Sequence, residues 1–213
     1  MKVIFDLDGT LVDSAVDIQA AVNAMLAEEG QPQMDRATVQ SFVGNGVPRL
    51  VERVMHARGM DPARHLALTK ATLAHYAGGA KLTRCYPGVP QALGALVAAG
   101  HGLGICTNKP EAAARAVLAD LDLTGFFKAV VGGDRLLVAK PDPAPLQLCL
   151  QELGGGEVVF VGDSEVDAET ARAAAVPFLL HTEGYRKSPV TALPHHAAFA
   201  DFAALSGLVA DLA

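Results

Sequence analysis

The chain has 213 residues, 51% hydrophobic and 19% charged, which supplies material for a core and excludes global disorder. Seventeen basic against twenty-three acidic side chains leave a net charge of −6. That balance argues against a non-specific nucleic-acid binder, yet it permits an anionic ligand at a locally positive site.

The first apolar run, residues 3–7, is short and bounded by polar residues, as a buried strand would be. Residues 14–84 then show helical patterns at 14–29, 37–42, 48–58 and 62–76, with no convincing strand. They read as an all-helical insertion with hinges at 11–14 and 81–87. Beyond residue 85, short apolar runs at 102–106, 129–131, 158–161 and 176–180 alternate with helix-period segments at 89–99, 111–121, 144–153 and 166–174. This rhythm predicts an α/β fold, a doubly wound, Rossmann-like parallel sheet built from residues 1–13 and 85–213.

Cys85, Cys106 and Cys149 are scattered and include no C-x-x-C pair, so neither a disulfide framework nor a zinc site is expected. The opening Met1-Lys2-Val3-Ile4-Phe5-Asp6 is too short an apolar run for a signal peptide. No stretch approaches the roughly 20 apolar residues of a membrane span. The expectation is a cytoplasmic monomer or homodimer with no membrane or nucleic-acid partner. The seven histidines form no i, i+4 pair and read as surface residues.

Chemistry concentrates at the ends of the apolar runs. In extended backbone Asp6, Asp8 and Thr10 would share one face, at the strand end where ligands bind in open α/β sheets. Three more runs lead into polar groups: 104–106 into Thr107-Asn108-Lys109-Pro110, 138–139 into Lys140-Pro141-Asp142-Pro143, and 159–161 into Gly162-Asp163-Ser164-Glu165-Val166-Asp167. Parallel strands would gather Asp6, Asp8, Asp163 and Asp167 with Thr107, Asn108 and Lys140 at one edge. Several carboxylates with one lysine suit a hard cation such as Mg²⁺ together with a phosphate. Several of these residues also have plain structural readings. Thr107, Asn108 and Asp142 could cap helices, and Ser164 to Asp167 spells a capping box.

Four motifs in this order resemble those of the haloacid dehalogenase superfamily. They are Asp6 to Thr10, Thr107, Lys140 in Lys140-Pro141-Asp142-Pro143, and Gly162 to Asp167. The resemblance spans the chain and implies that residues 14–84 form a cap. It implies an aspartate-nucleophile phosphatase, with Mg²⁺ held by Asp6, Asp8, Asp163 and Asp167. Asp6 would attack phosphorus and Asp8 would act as acid and base. Thr107, Asn108 and Lys140 would bind the transferring phosphoryl, and Thr10 would order the turn.

The strings 6–14 and 42–53 resemble those of bacterial phosphoglycolate phosphatases. From the second, Gly44, Asn45, Gly46 and Arg49 are expected to meet a small phosphorylated metabolite, with Arg49 reading its carboxylate. The same arginine-bearing loop resembles that of β-phosphoglucomutases, so a sugar-phosphate phosphatase or mutase is the alternative. A non-enzymatic regulator would be expected to have lost a motif aspartate, and none is lost. Ala175 stands where such chains often carry a helix-ending glycine, and the turn after 180 is longer than usual before Gly184-Tyr185.

Overall fold

The computed structural model describes residues 1–76 and 81–212. β1 (Lys2–Phe5) alternates its side chains between two apolar layers: Val3 and Phe5 enter one, Ile4 the other. The chain then makes a two-residue strand, β2 (Val12–Asp13), and runs through α1 (Ala15–Glu28), α2 (Arg36–Phe42), α3 (Gly46–Arg58) and α4 (His65–Tyr76). It returns at β3 (Arg84–Cys85), which pairs antiparallel with β2.

The rest alternates. α5 (Val89–Ala98), β4 (Gly102–Cys106), α6 (Glu111–Asp120), β5 (Phe127–Val131), α7 (Ala144–Glu152) and β6 (Val158–Gly162) follow in turn. α8 (Glu165–Ala174), β7 (Phe178–His181), β8 (Ala197–Phe199) and α9 (Leu205–Ala210) complete the chain.

The main sheet has the order β5-β4-β1-β6-β7-β8, and every pairing is parallel. Winding reverses beside β1, so β1 and β6 flank the topological switch point, where the crevice at the strand ends opens. α5, α6 and α9 cover one face, while α7 and α8 cover the other. Gly104 admits α7 closely: a Cβ there would lie 2.7 Å from Cys149 Sγ.

The helices before β3 pack around an apolar cluster of their own. α1 contributes Ile18, Val22, Met25 and Leu26, α3 contributes Leu50, Val51, Val54 and Met55, and α2 and α4 add Val39 and Leu68. Each such buried side chain contributes roughly 1.5–3 kcal/mol, against the entropy of ordering the segment. Local chemistry sets the helix ends: Asp35 caps α2 by accepting from Thr38 N at 2.9 Å, and Gly59 closes α3 in the left-handed region. Asp17 of α1 ties the returning chain down, accepting from Thr83 N at 2.7 Å and from the Thr83 hydroxyl at 2.6 Å.

The structure corrects the sequence reading in several places. β2, β3 and β8 were not expected, because two or three residues carry no readable alternation. Residues 138–139 are not a strand end: Leu137 and Val138 are exposed in a loop. The helical stretch expected at 62–76 opens with a 3₁₀ turn, Pro62–Arg64, capped by Asp61. His181 is buried, not superficial, within a ring of Tyr86, Phe199 and Phe202. No described helix is long and apolar enough to cross a membrane.

Candidate active site

Asp6 is the first residue past β1, and its backbone N–H donates to Val161 O of β6 at 2.9 Å. The chain then turns, with Thr10 N and Leu11 N both donating to Leu7 O. Gly9 makes this possible at φ +88°, where a Cβ would lie 2.5 Å from Asp163 Oδ2. The turn ends the strand alternation. Asp6 and Asp8 face the crevice, whereas Thr10 is fully buried and its hydroxyl donates to Asp163 Oδ1 at 2.6 Å. Thr10 therefore holds Asp163 and does not reach a ligand, contrary to its expected substrate-binding place.

Asp163 follows β6 and meets Asp6 and Asp167, with one carboxylate oxygen of each within 4.8 Å of the others. Lys140 Nζ lies 2.6 Å from Asp167 Oδ1 and 3.1 Å from Asp6 Oδ1. The second contact is an ion pair without hydrogen-bond alignment, so buried Asp6 Oδ1 accepts no hydrogen bond. Burial pushes the Asp6 carboxyl up to about 6, with Lys140 opposing the shift. Burial, then Asp167 and Asp6, raise Asp163 well above the usual carboxylate range. Burial disfavours the Lys140 charge, but Asp167 and Asp6 outweigh it and hold the ammonium above its ordinary value. Three clustered carboxylates against one lysine, with a buried oxygen that takes no aligned hydrogen bond, suit a hard cation.

Asp167 is fully committed. Its Oδ2 accepts from Ser164 N, the Ser164 hydroxyl and Asp163 N, while Ser164 Oγ accepts from Asp167 N, so the expected capping box is present. Its Oδ1 serves Lys140. Capping and charge pairing coexist in one side chain, which leaves less room for direct metal ligation.

Thr107, Asn108 and Lys109 follow β4. Thr107 is buried beside Asp6 and Asp8 in the cavity wall. Asn108 does not cap α6 and does not offer its side chain to a ligand. Its Oδ1 accepts from Lys140 N at 2.9 Å, and its amide donates to Lys140 O and Gly44 O at 3.0 Å each. Asn108 thus clamps the Lys140 backbone and ties the 44–46 loop to the sheet edge. Asp142 accepts from Ala144 N at 2.9 Å at the start of α7, in line with its capping reading.

The sequence reading passed over three participants. Lys109 is buried and pairs with both Asp8 oxygens, at 2.9 and 3.1 Å, while also donating to the Tyr76 hydroxyl. Burial opposes its charge, but Asp8 and Tyr76 overcome this and raise its affinity for the proton. The Ser14 hydroxyl donates to Asp8 Oδ1 at 2.6 Å. Tyr185 N donates to Asp163 Oδ2 at 2.6 Å, and its hydroxyl accepts from Ser14 N and Ala15 N and donates to Asp13 Oδ1. Lys109 lies within the expected Thr107-Asn108-Lys109-Pro110 string, but nothing local separates it from a solvated lysine. Gly184-Tyr185 was the visible trace of the third.

A chamber of about 50 Å³ is lined by Asp6, Asp8, Gly44, Gly46, Thr107 and Lys109, among others. An adjoining opening of about 240 Å³ is bordered by Asp6, Asp8, Asn45, Asp163 and Lys187. Gly46 sits so close that a Cβ would lie 3.3 Å from Asn108 O. Asn45 Oδ1 accepts from Arg53 at 2.8 Å. Arg49 is absent from both linings: its side chain is 65% exposed, pairs with Glu52, and borders a separate outer groove with Met55 and Met60. One turn into α3, it borders that outer groove instead of the crevice, so the structure does not bring Arg49 to the chamber as expected.

The haloacid dehalogenase-like hydrolase model matches residues 3–181. A phosphoglycolate phosphatase of Cereibacter sphaeroides (strain ATCC 17029 / ATH 2.4.9) is 50% identical, covering 99% of this chain and 98% of its own. One from Rhodospirillum rubrum is 45% identical, covering 95% of this chain and 88% of its own. A crystal structure described as a predicted phosphoglycolate phosphatase from Haemophilus somnus 129PT superposes with a TM-score of 0.89 at 28% identity, over 98% of this chain and 97% of that one. The motifs, the switch-point crevice and these likenesses agree, and the chain belongs to the haloacid dehalogenase-like hydrolase family.

Proposed function

We propose that the chain is a Mg²⁺-dependent phosphatase that hydrolyses a small phosphate monoester, 2-phosphoglycolate, to glycolate and phosphate. The observation that carries the reading is Asp6: a carboxylate facing the chamber beside Asp8, whose buried Oδ1 takes no aligned hydrogen bond and is met only by the Lys140 ammonium at 3.1 Å. The relatives named phosphoglycolate phosphatase support the substrate. The chamber is small, about 50 Å³, and lined mostly by apolar side chains beyond the carboxylates. With Arg49 turned outward, the mutase alternative loses the residue on which it stood.

Asp6, Asp163 and the Asp8 carbonyl would hold the cation, with Asp167 acting at one remove through Lys140 and the Asp163 backbone. When bound, Mg²⁺ supplies positive charge that screens the phosphate dianion from the attacking carboxylate. Asp6 attacks phosphorus, the bond to the glycolate oxygen breaks, and Asp8 gives that oxygen its proton. Asp8 then takes a proton from water, the water oxygen attacks phosphorus, and the bond to Asp6 breaks to release phosphate. The Thr107 hydroxyl and the Lys140 ammonium stabilise charge on the transferring oxygens. Asn108 keeps Lys140 in place through its backbone, and Thr10 keeps Asp163.

In this reading residues 14–84 act as a cap on a core of residues 1–13 and 85–213, with the β2–β3 ribbon as hinge. Residues 77–80, within that cap, lie outside those described. The Gly44–Asn108 and Tyr76–Lys109 contacts would close the chamber against water. The cytoplasm is the setting that suits its free thiols.

Phosphate release from a panel of small esters tests the proposal. Phosphoglycolate should give the highest kcat/KM, EDTA should abolish turnover, and Asp6→Asn should be inactive but folded. Full activity in Asp6→Asn would overturn the mechanism, and preference for a sugar phosphate would overturn the substrate.

A further inference from the structure

We propose that Lys109 and Tyr76 together form a carboxylate-binding subsite, which selects phosphate esters whose leaving group carries an acid group. The inference rests on the phosphatase reading above and assigns the residues that read the leaving group. Among the described residues that line the chamber, Lys109 is the one cation. Its other neighbours there are apolar, as Ile18, Ala21, Val47 and Leu50, or belong to the phosphate end, apart from Thr72, whose hydroxyl donates to Leu68 O at 2.8 Å.

Lys109 has only 2% of its side chain exposed, and a buried ammonium persists only where anions or acceptors surround it. Asp8 and the Tyr76 hydroxyl supply them. The Tyr76 oxygen accepts from Lys109, and among the described residues its own proton has no acceptor. Burial pushes that phenol up to about 12, so it keeps the proton at neutral pH. The chamber thus presents a phenol donor next to an ammonium with three protons. A carboxylate has two oxygens, one for each. It would accept from Tyr76 Oη and share Lys109 with Asp8.

The two residues come from different parts of the fold, which gives the subsite a second consequence. Lys109 follows β4 at the sheet edge, and Tyr76 is the last residue of α4. A carboxylate held by both would bridge the helices to the sheet, so recognition of the leaving group would also favour the closed chamber. A neutral ester gains no such bridge. The subsite takes over the task expected of Arg49, whose side chain faces the outer groove.

The test compares 2-phosphoglycolate with 2-hydroxyethyl phosphate, which has similar length and no charge on its leaving group. Both are assayed for phosphate release with the full chain at saturating Mg²⁺. In Lys109→Met the ratio of kcat/KM between the two esters should fall about 10- to 150-fold, the range for a lost hydrogen bond to a charged group. The loss should lie mainly in KM for phosphoglycolate. Tyr76→Phe keeps the ammonium and should lower the same ratio about 2- to 10-fold, as a lost neutral donor does. If Lys109→Met fails to fold, Tyr76→Phe decides alone. Equal losses for both esters in the folded variants would mean that the pair only positions Asp8, and would overturn the subsite. A wild-type enzyme with no preference for phosphoglycolate would instead overturn the substrate reading, before any variant is made.

Discussion

The Thr10 hydroxyl donates to Asp163 Oδ1 at 2.6 Å, joining residues 153 positions apart in the chain. The bond crosses the switch point of the sheet, from the turn after β1 to the end of β6. Together with Tyr185 N on Oδ2, it fixes both oxygens of one buried carboxylate. In the proposed reading, this orients Asp163 before any cation arrives.

Thr10→Val keeps the shape and removes that donor. Loss of such a supporting bond should weaken Mg²⁺ affinity about 10- to 100-fold. A Mg²⁺ titration of activity checks this, and an unchanged midpoint would show that Asp163 needs no support from Thr10.

Tyr185→Phe separates anchoring from ligand support. The lost hydroxyl leaves the buried Ser14 N without an acceptor and Ala15 N with only its longer bond to Asp13 Oδ1 at 3.4 Å, at a cost of about 1–3 kcal/mol. The bond to Asp163 comes from the backbone of Tyr185 and survives. Urea unfolding should therefore show a clear loss, while the Mg²⁺ midpoint moves less than it does in Thr10→Val.

Arg49→Ala should leave kcat/KM for phosphoglycolate within about twofold, as surface changes away from special features usually do. Its guanidinium pairs with Glu52 on an exposed helix turn. A tenfold rise in KM would mean that α3 turns its other face inward during turnover.

His181 sets a pH dependence of stability. Burial holds its imidazole below the ordinary 6.5, and Nδ1–H donates to Gly9 O at 3.1 Å. A depressed folded value means that the stabilisation is present above about 6.5 and is lost as pH falls through the folded value. Asp6 has the opposite sign. Its folded value is raised to about 6 from 3.8, so its contribution without metal is greatest below 3.8 and is lost as pH rises through 6. The difference between proteins isolates the histidine. Without metal, Tm from pH 7 to pH 5 should fall more in wild type than in His181→Asn, which keeps a donor at the same atom. Parallel curves would count against it.

Ala175 closes α8 in the left-handed region at φ 54°, where an L-residue is strained by roughly 1–2 kcal/mol. Ala175→Gly relieves that strain but gives the unfolded chain more freedom. Tm should rise modestly, and a fall would show that the strain is already absorbed by its neighbours.

The sequence by itself determined the longer elements and the residues that carry the chemistry. Short apolar runs, helical periods and the polar ends of β1, β4 and β6 are local patterns, readable without a partner, whereas Lys140 comes from a loop. The expected span 102–106 coincides with β4, and Asp6, Asp163, Asp167 and Lys140 meet as expected. Tertiary structure decided which polar group faces which. Gly9 turns the chain and sends Thr10 inward, although strand alternation would have kept it beside Asp8. Lys109 reaches Asp8 across 101 residues and Tyr185 reaches Asp13 across 172. Arg49 faces outward because of the rotation of α3 against its neighbours. Local sequence specifies periods and turns, but the pairing of distant charges depends on how helices and strands are set against one another, and that is fixed only when their apolar faces pack.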